Sequence, residues 1–329
     1  MRTPASSWAI LLMLALAMAL PSLIGSPYYM SIAVTAAAFC ILSVCLNLIY
    51  GYVVLLSLCQ VAFWGLGAYA TAILTAHYEV SIGLALIASG IVAVLASVLV
   101  GIASFRVSRH SFAIASLVFA LLLQHLAYDW TSPTRGAMGI PGLPVPELTI
   151  PLIGHVVFGK AHSFFYLICA WAIITIVFIR MIVLSRVGRA LVAIKENTAL
   201  AESHGLNVFR YKLIAFGISS FFTGAAGGLF CLFISIADPS VFDFYYTEAM
   251  LVTVILGGAG TFWPVVVSSI VFTFAPEILR IGEELRLVLY GALLVAAMLA
   301  MPEGFAGLVK KCRRGRQRVE FSRSMAGKS

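Results

Sequence analysis

Charge is what this 329-residue chain has least of: only 10% of its residues are Asp, Glu, Lys or Arg, against about a quarter in soluble domains. So little charge cannot clothe a folded globule in water, and an ordinary soluble domain is excluded. The signatures of common catalytic centres are missing as well. There is no Cys-x-x-Cys pair, and Cys40, Cys45, Cys59, Cys169 and Cys231 all lie inside apolar runs. This argues against a disulfide framework or a thiolate metal site and leaves the thiols as small core groups. No His-Glu-x-x-His or Gly-x-Ser-x-Gly motif occurs, and the six histidines are scattered. Gly327-Lys328-Ser329 imitates the end of a phosphate-binding loop, but Ser322 stands where its first glycine belongs and no strand leads into it. The chain is expected to catalyse nothing and to hold no cofactor or metal of its own.

What it has instead is apolar length, with hydrophobic residues making up 62% of the chain. A helix needs about 20 apolar residues to cross a hydrocarbon core, where it satisfies its own backbone amides. The candidate spans are Trp8 to Ile24, Tyr29 to Ile49, Val61 to Ala76, Val80 to Phe105, Phe112 to Tyr128, Ser163 to Leu184, Leu213 to Ile236, an irregular region from Ala249 to Leu279, and Leu287 to Met301. The first contains Ala17-Met18-Ala19, which resembles a signal cleavage site. Because more spans follow, an uncleaved first span is the preferred reading.

Positive charge sets the orientation. Arg106 and Arg109 follow the fourth run, and Arg186, Arg189, Lys195, Arg210 and Lys212 fill the loop after the sixth. A basic tail runs from Lys310 to Lys328, so the net charge of +8 reads as attraction to anionic lipid at the membrane edge, not to nucleic acid. Asp129 to His162 and Asp238 to Glu248 carry no basic cluster and fall on the outer side. A single crossing between Ala249 and Leu279 would strand the tail outside, whereas two, broken at Gly257-Gly258-Ala259-Gly260, bring it inside. All but four of the 21 basic residues (Arg135, Lys160, Arg280 and Arg286) are then cytoplasmic. The expected fold is an all-α integral membrane protein, a polytopic bundle of about ten (eight to ten) transmembrane helices, some short or broken, with both termini cytoplasmic. Residues 1–309 form one transmembrane domain and 310–329 a basic cytoplasmic tail.

Three stretches carry polar or glycine-rich patterns. In LNLIYGYVVLLSLCQVAFWGLGAY, from Leu46 to Tyr69, Asn47, Ser57 and Gln60 stand among Gly51, Gly65 and Gly67. Polar groups at membrane depth must meet a neighbouring helix or a water-filled cavity, so these are either packing residues or the lining of a path. SRVGRALVAIKENTALAESHGLNVFRYK, from Ser185 to Lys212, has helical periodicity between Gly188 and Gly205, with Leu191, Ile194 and Leu200 on an apolar aspect. Gly205 is placed to end that helix, which either docks a soluble partner or anchors in the interface. LVTVILGGAGTFWPVVVSS, from Leu251 to Ser269, is interrupted by Gly257, Gly258, Gly260 and Pro264, as a broken helix beside a path or a plain turn would be.

These stretches, with YGALLVAAMLAMPEGFAGLV near the end, resemble the LivM-type permeases of branched-chain amino acid importers of the ATP-binding-cassette class, in that family's order from about Leu46 to Val309. GRALVAIKENTALAESHGLNVFRYKLIAF is similar to the family's loop for engaging ATPases, with Ala201, Glu202 and Gly205 at the motif positions and Arg189, Arg210 and Lys212 around them. The chain departs from the usual pattern at Ser57-Leu58-Cys59-Gln60, where Ser-Leu-Gly-His is usual, at Val54, which replaces glycine, and at Pro264-Val265, which replaces Gly-Pro.

The resemblance implies a bacterial inner-membrane permease subunit for leucine, isoleucine and valine. Its partners would be a second permease forming a heterodimer, two ATP-binding subunits that hold ATP and Mg, and a periplasmic substrate-binding protein. Asn47, Gly51, Ser57, Gln60, Gly257, Gly258, Gly260 and Thr261 are the candidates for its translocation path. The departures fall within that path and leave urea or short amides as alternative solutes. A transporter or channel working without ATP would place ionisable groups within its spans. Only His125, Glu277 and Arg180 come close, all near span ends.

Overall fold

The computed structural model describes residues 26–278 except 106–108, 146, 151–153 and 158–160, together with positions 291, 305 and 307. The expected spans Trp8 to Ile24 and Leu287 to Met301, and the basic tail, lie outside the described residues apart from those single positions. Helix α1 (Pro27–Leu46) opens on a proline, where no intrahelical amide is lost, and widens into a π-helical turn over Asn47–Gly51. The chain is irregular from 54 to 59 before α2 (Gln60–His77) begins. Helices α3 (Ile82–Ser104), α4 (Arg109–Asp129) and α5 (Ala161–Leu184) follow. Two short helices, α6 (Arg186–Glu196) and α7 (Thr198–Ser203), lead into α8 (Val208–Ile234), and α9 (Phe244–Gly257) and α10 (Trp263–Ile278) come last.

Among the described residues six segments are long and apolar enough to cross a membrane: Pro27–Gly51, Ile82–Ser104, Arg109–Asp129, His162–Leu184, Val208–Ile234 and Pro239–Gly257. The chain is a predominantly helical, multi-pass membrane protein. Its few strands lie in loops. Ile140–Pro141 (β1) pairs with Ile236–Ala237 (β4), and Glu147–Ile150 (β2) with Gly154–Val157 (β3), both antiparallel. The first pair ties the loop after α4 to the loop after α8, so the two segments expected on one side do share one end of the bundle. Helices α6 and α7 lie at the other end.

The bundle is organised around α8. It runs antiparallel to α3, with Gly101 against Leu213 and Gly90 against Phe221, and in the same direction as α2, whose Ala68 carbonyl accepts from Cys231 Sγ at 3.3 Å. Glycines allow this closeness: a Cβ on Gly67 would run into the backbone of Gly224, and one on Gly227 into the carbonyl of Trp64. Lipid supplies no hydrophobic drive between helices, so such van der Waals packing carries the association. Outward-facing Leu95, Leu99, Ile114, Val118, Leu122, Ile174 and Met181 are exposed and form the lipid-facing surface. Several buried hydroxyls are satisfied within their own helices, as Ser89, Ser97 and Ser116 are by carbonyls three residues back.

The break at Gly257–Gly260 falls where the sequence places it. Helices α9 and α10 fold back on each other across it, and Ser268 Oγ donates to the Thr253 carbonyl at 2.5 Å. The single helix expected from Gly188 to Gly205 is instead two. Asn197 is extended (φ −152°, ψ 105°) and its side chain accepts from Leu200 N at 3.0 Å, which ends α6 and caps α7. The interruption shifts the apolar aspect. Leu191 and Ile194 are buried as expected, but Leu200 is 56% exposed and Ala201 takes its place inside, with Val208.

Val54 has a φ of +58°, a left-handed conformation that costs a β-branched residue roughly 1–2 kcal/mol. Val54→Gly is therefore expected to raise the melting temperature of the purified protein in detergent. Gly67→Val, which overpacks the α2–α8 contact, is expected to lose about 1–3 kcal/mol. Gly83→Ala is the control, since its Cβ meets nothing within 4 Å. Equal melting temperatures for the Gly67 and Gly83 variants would show that the contact does not hold α2.

Candidate functional site

The segment from Asn47 to Gln60 is only half helical. Gly51 lies at the end of the bundle occupied by α6, where Lys195 Nζ donates to its carbonyl at 2.8 Å. Gln60, the first residue of α2, lies well inside: its Nε2 donates to Ser219 Oγ at 2.7 Å and Thr223 Oγ1 at 2.6 Å, on either side of the midpoint of α8. The chain between them climbs half the depth of the bundle without regular structure. Backbone in that state survives in a bilayer only where protein or a polar cavity covers it. Here Leu58 N donates to Ser116 Oγ of α4 at 3.0 Å and Leu55 N to the Ile49 carbonyl at 3.4 Å.

Gln60 and Ser57 are fully buried. Ser57 Oγ lies 3.4 Å from Cys59 Sγ, and Ser219 passes a further bond to the Cys45 carbonyl at 2.8 Å, so α1, α2 and α8 are clasped together at this level. Gln60 Oε1, Trp64 Nε1 and Thr71 Oγ1 are buried without a partner and stand on one face of α2, at i, i+4 and i+11. The stripe faces α8, where Gly227 packs against Trp64 and Gly228 against Thr71.

The remaining path candidates meet at a second junction. Asn47 Nδ2 donates to the Thr261 carbonyl at 2.9 Å, and its Oδ1 accepts from Gly260 N at 2.9 Å. Gly51 packs against the backbone of Gly260. Gly258 and Gly260 take φ of +95° and +85°, conformations that suit glycine, and Gly257 leaves room for Val265 and Ser268 on the returning leg. One turn before α5 ends, the Arg180 guanidinium lies 5.5 Å from the ring centre of Phe262 and 5.0 Å from that of Trp263. The break therefore sits at the level of the last turn of α5, beside α6.

The loop residues divide by exposure. Ser185 caps α6 by accepting from Val187 N at 3.1 Å, and Asn207 caps α8 by accepting from Arg210 N at 3.0 Å. Gly205 has φ +79° and closes α7. Its amide reaches the Glu202 carbonyl at 2.9 Å and Leu206 N reaches the Ala201 carbonyl at 3.1 Å, the paired bonds of a left-handed helix stop. Ala201 is buried beneath it with Ile194 and Val208. Arg189, Arg210 and Glu202 are exposed. Glu202 and Lys212 line one cavity of about 440 Å³ with Phe105, Thr198, Val208 and Phe209. Among the described residues, no three His, Cys, Asp or Glu side chains converge as metal ligands would.

The structure thus brings Asn47, Gly51, Gly260 and Thr261 into one contact and holds Ser57 and Gln60 apart from it, deeper in the bundle. Sequence reasoning did not single out Lys195, Ser219 or Thr223. The i, i+4 spacing of the two hydroxyls on an apolar helix was the available signal for the latter pair.

The family described as the permease component of branched-chain amino acid transport systems matches residues 28–298. The chain is 29% identical over 316 residues to the high-affinity branched-chain amino acid transport system permease protein LivM of Escherichia coli K12, covering 91% of this chain and 74% of that protein. It is 28% identical to the LivM protein of Salmonella typhimurium, over 92% of this chain and 75% of the relative. The LivH permease protein of the same transport system in Escherichia coli K12 is 24% identical, over 82% of this chain and 92% of the relative. No solved structure matches. With the match spanning both the half-helical crossing and the loop beside it, the chain belongs to the family of permease components of branched-chain amino acid transport systems.

Proposed function

We propose that the chain is the translocating subunit of an ATP-binding-cassette importer in a bacterial inner membrane, and that its solutes are leucine, isoleucine and valine. The observation that carries this reading is the crossing that is irregular from 54 to 59 and becomes helical only at Gln60. Interrupted crossings of this kind place backbone and helix ends at the bilayer midplane, where transporters hold their solutes. On this reading Asn47, Gly51, Ser57, Gln60, Gly257, Gly258, Gly260 and Thr261 belong to the path or its cytoplasmic gate.

Helices α6 and α7 and the first turn of α8 would present Arg189, Glu202 and Arg210 to an ATPase, with Gly205 fixing the return of the chain to the membrane. The matches to both LivM and LivH proteins favour a heterodimer with a second permease. Two ATP-binding subunits would carry ATP and Mg, this chain would bind no cofactor, and a periplasmic protein would deliver the solute. About ten crossings, with both termini and the basic tail in the cytoplasm, complete the arrangement. Reconstituted with those partners, the complex should take up leucine and not urea. Uptake of urea alone would sink the amino acid assignment.

Orientation is tested with single cysteines in a cysteine-free background. Met138 and Ser240, both exposed at the β1–β4 end, should react with an impermeant maleimide added to intact cells, whereas Glu196 and His204 should not. Labelling at 196 would invert the topology.

Coupling is tested at α7. Nothing lies within 4 Å of a Cβ on Gly205, so the penalty in Gly205→Val is the left-handed backbone alone, about 1–2 kcal/mol, and the chain should still fold. That variant and Glu202→Ala are expected to reduce ATPase co-purification or uptake per ATP hydrolysed. Solute binding to the separate periplasmic protein should be unchanged. Native transport with a fully bound ATPase in both variants would remove the docking role.

A further inference from the structure

We propose that Lys195 is the positioning residue that transmits movement of the docking helix α6 to the two breaks in the pathway helices; this rests on the importer reading above. Most basic side chains on a docking helix would be expected to face solvent or the ATPase. Lys195 does not. It is half-buried, between Ile194, which is 1% exposed in the loop's own small core, and the exposed Glu196, and its ammonium reaches back into the bundle. Its hydrogen-bond acceptor is the Gly51 carbonyl, 2.8 Å away and 144 positions distant in sequence.

Gly51 ends the π turn that closes α1, so its carbonyl belongs to the unsatisfied set at a helix C-terminus, where a cation is favoured. The same ammonium lies 3.0 Å from where a Cβ of Gly260 would stand, and Gly51 O lies 2.8 Å from that point. Asn47 completes the arrangement by holding Gly260 N and the Thr261 carbonyl. Three separate elements therefore touch through one lysine: the docking helix, the end of α1 from which the irregular crossing starts, and the turn between α9 and α10.

The consequence is mechanical. A displacement of α6 that keeps the Lys195 bond carries Gly51 and Gly260 with it, and through Gly51 the irregular stretch that leads to Gln60. Without the bond, α6 stays joined to the bundle by Leu191, Ile194 and the chain itself, none of which contacts the breaks by hydrogen bonding. A lysine that merely stabilised the fold would affect assembly, hydrolysis and transport in proportion. A transmitting lysine affects the ratio of transport to hydrolysis.

The test uses the complete complex in proteoliposomes. Lys195→Met should assemble and hydrolyse ATP, with leucine uptake per ATP hydrolysed falling about tenfold. Lys195→Arg, which keeps a cationic donor of similar reach, should restore most of the ratio. If the methionine variant fails to assemble, Lys195→Gln, a shorter neutral donor, takes its place, and its ratio must also fall. Spin labels at 196 and 259 give a readout independent of the solute: their separation should stay constant on ATP addition in the wild type and change in Lys195→Met. A native ratio in an assembled variant, or a label pair unaffected by the substitution, overturns the proposal. Wild-type complex that fails to take up leucine would count against the solute assignment alone, because the label pair still decides the role of the lysine.

Discussion

A backbone amide inside a bilayer has no water to turn to, and the arrangement of this bundle follows from the one place where the chain defies that constraint. Between Val54 and Cys59 no helix satisfies the main chain, so other elements must cover and bond it. Helix α4 does so through Ser116, and the preceding turn through the Ile49 carbonyl. Helix α8 receives Gln60 where the irregular stretch ends, and its own glycines let α2 come close enough for this. The left-handed Val54 is part of the same solution. The chain must reverse out of the α1 end within a few residues, and it does so with a conformation that valine adopts only at a cost.

The end of the bundle bearing α6 and α7 obeys a different rule, that of the helix terminus. Helix after helix stops or starts there, leaving carbonyls and amides that need partners. Ser185, Asn197 and Asn207 cap the starts of α6, α7 and α8, and the Gly205 stop closes the end of α7. The carbonyl at the end of α1 is met by an ammonium from a neighbouring element. The caps fix the ends of α6 and α7, and the pair is seated on Ile194, Ala201 and Val208.

Much of this was legible in the chain, for physical reasons that can be named. Long apolar runs have one outcome in lipid, so spans such as Phe112 to Tyr128 and Ser163 to Leu184 lie within α4 and α5. The run Gly257-Gly258-Ala259-Gly260 located the turn between α9 and α10, and a glycine after a helical pattern located the stop at Gly205. Less legible was anything that depends on sequence-distant pairing. Asn47 announced itself as polar at depth, but that it would clamp Gly260, 213 positions away, was not written in its neighbours. Lys195 looked like one more basic residue of the loop after the sixth run. The split at Asn197 of the helix expected from Gly188 to Gly205 was missed because the periodicity of Leu191, Ile194 and Leu200 was counted through an asparagine whose capping preference outweighs one apolar contact.

Helix α2 is held to α8 in two different ways, by hydrogen bonds at Gln60 and by close backbone packing just beyond it. One to two turns beyond Gln60, Gly67 lies against Gly224 and Gly227 against Trp64, so close that a Cβ on either glycine would collide with backbone. At the N-terminus, Gln60 is held by two side-chain hydrogen bonds to α8, and such bonds between membrane helices average roughly 0.6 kcal/mol each. Breaking both costs about as much as one tenfold change in an equilibrium, whereas parting the glycine contact gives up the packing that holds α2 to the bundle. Gln60 also keeps an unpartnered Oε1, so part of its hydrogen-bonding capacity is unused. The chain from 54 to Gln60 is thus held by a few hydrogen bonds and α2 beyond it by close backbone packing, and the lower limit of the irregular stretch is tied to α6 through Lys195.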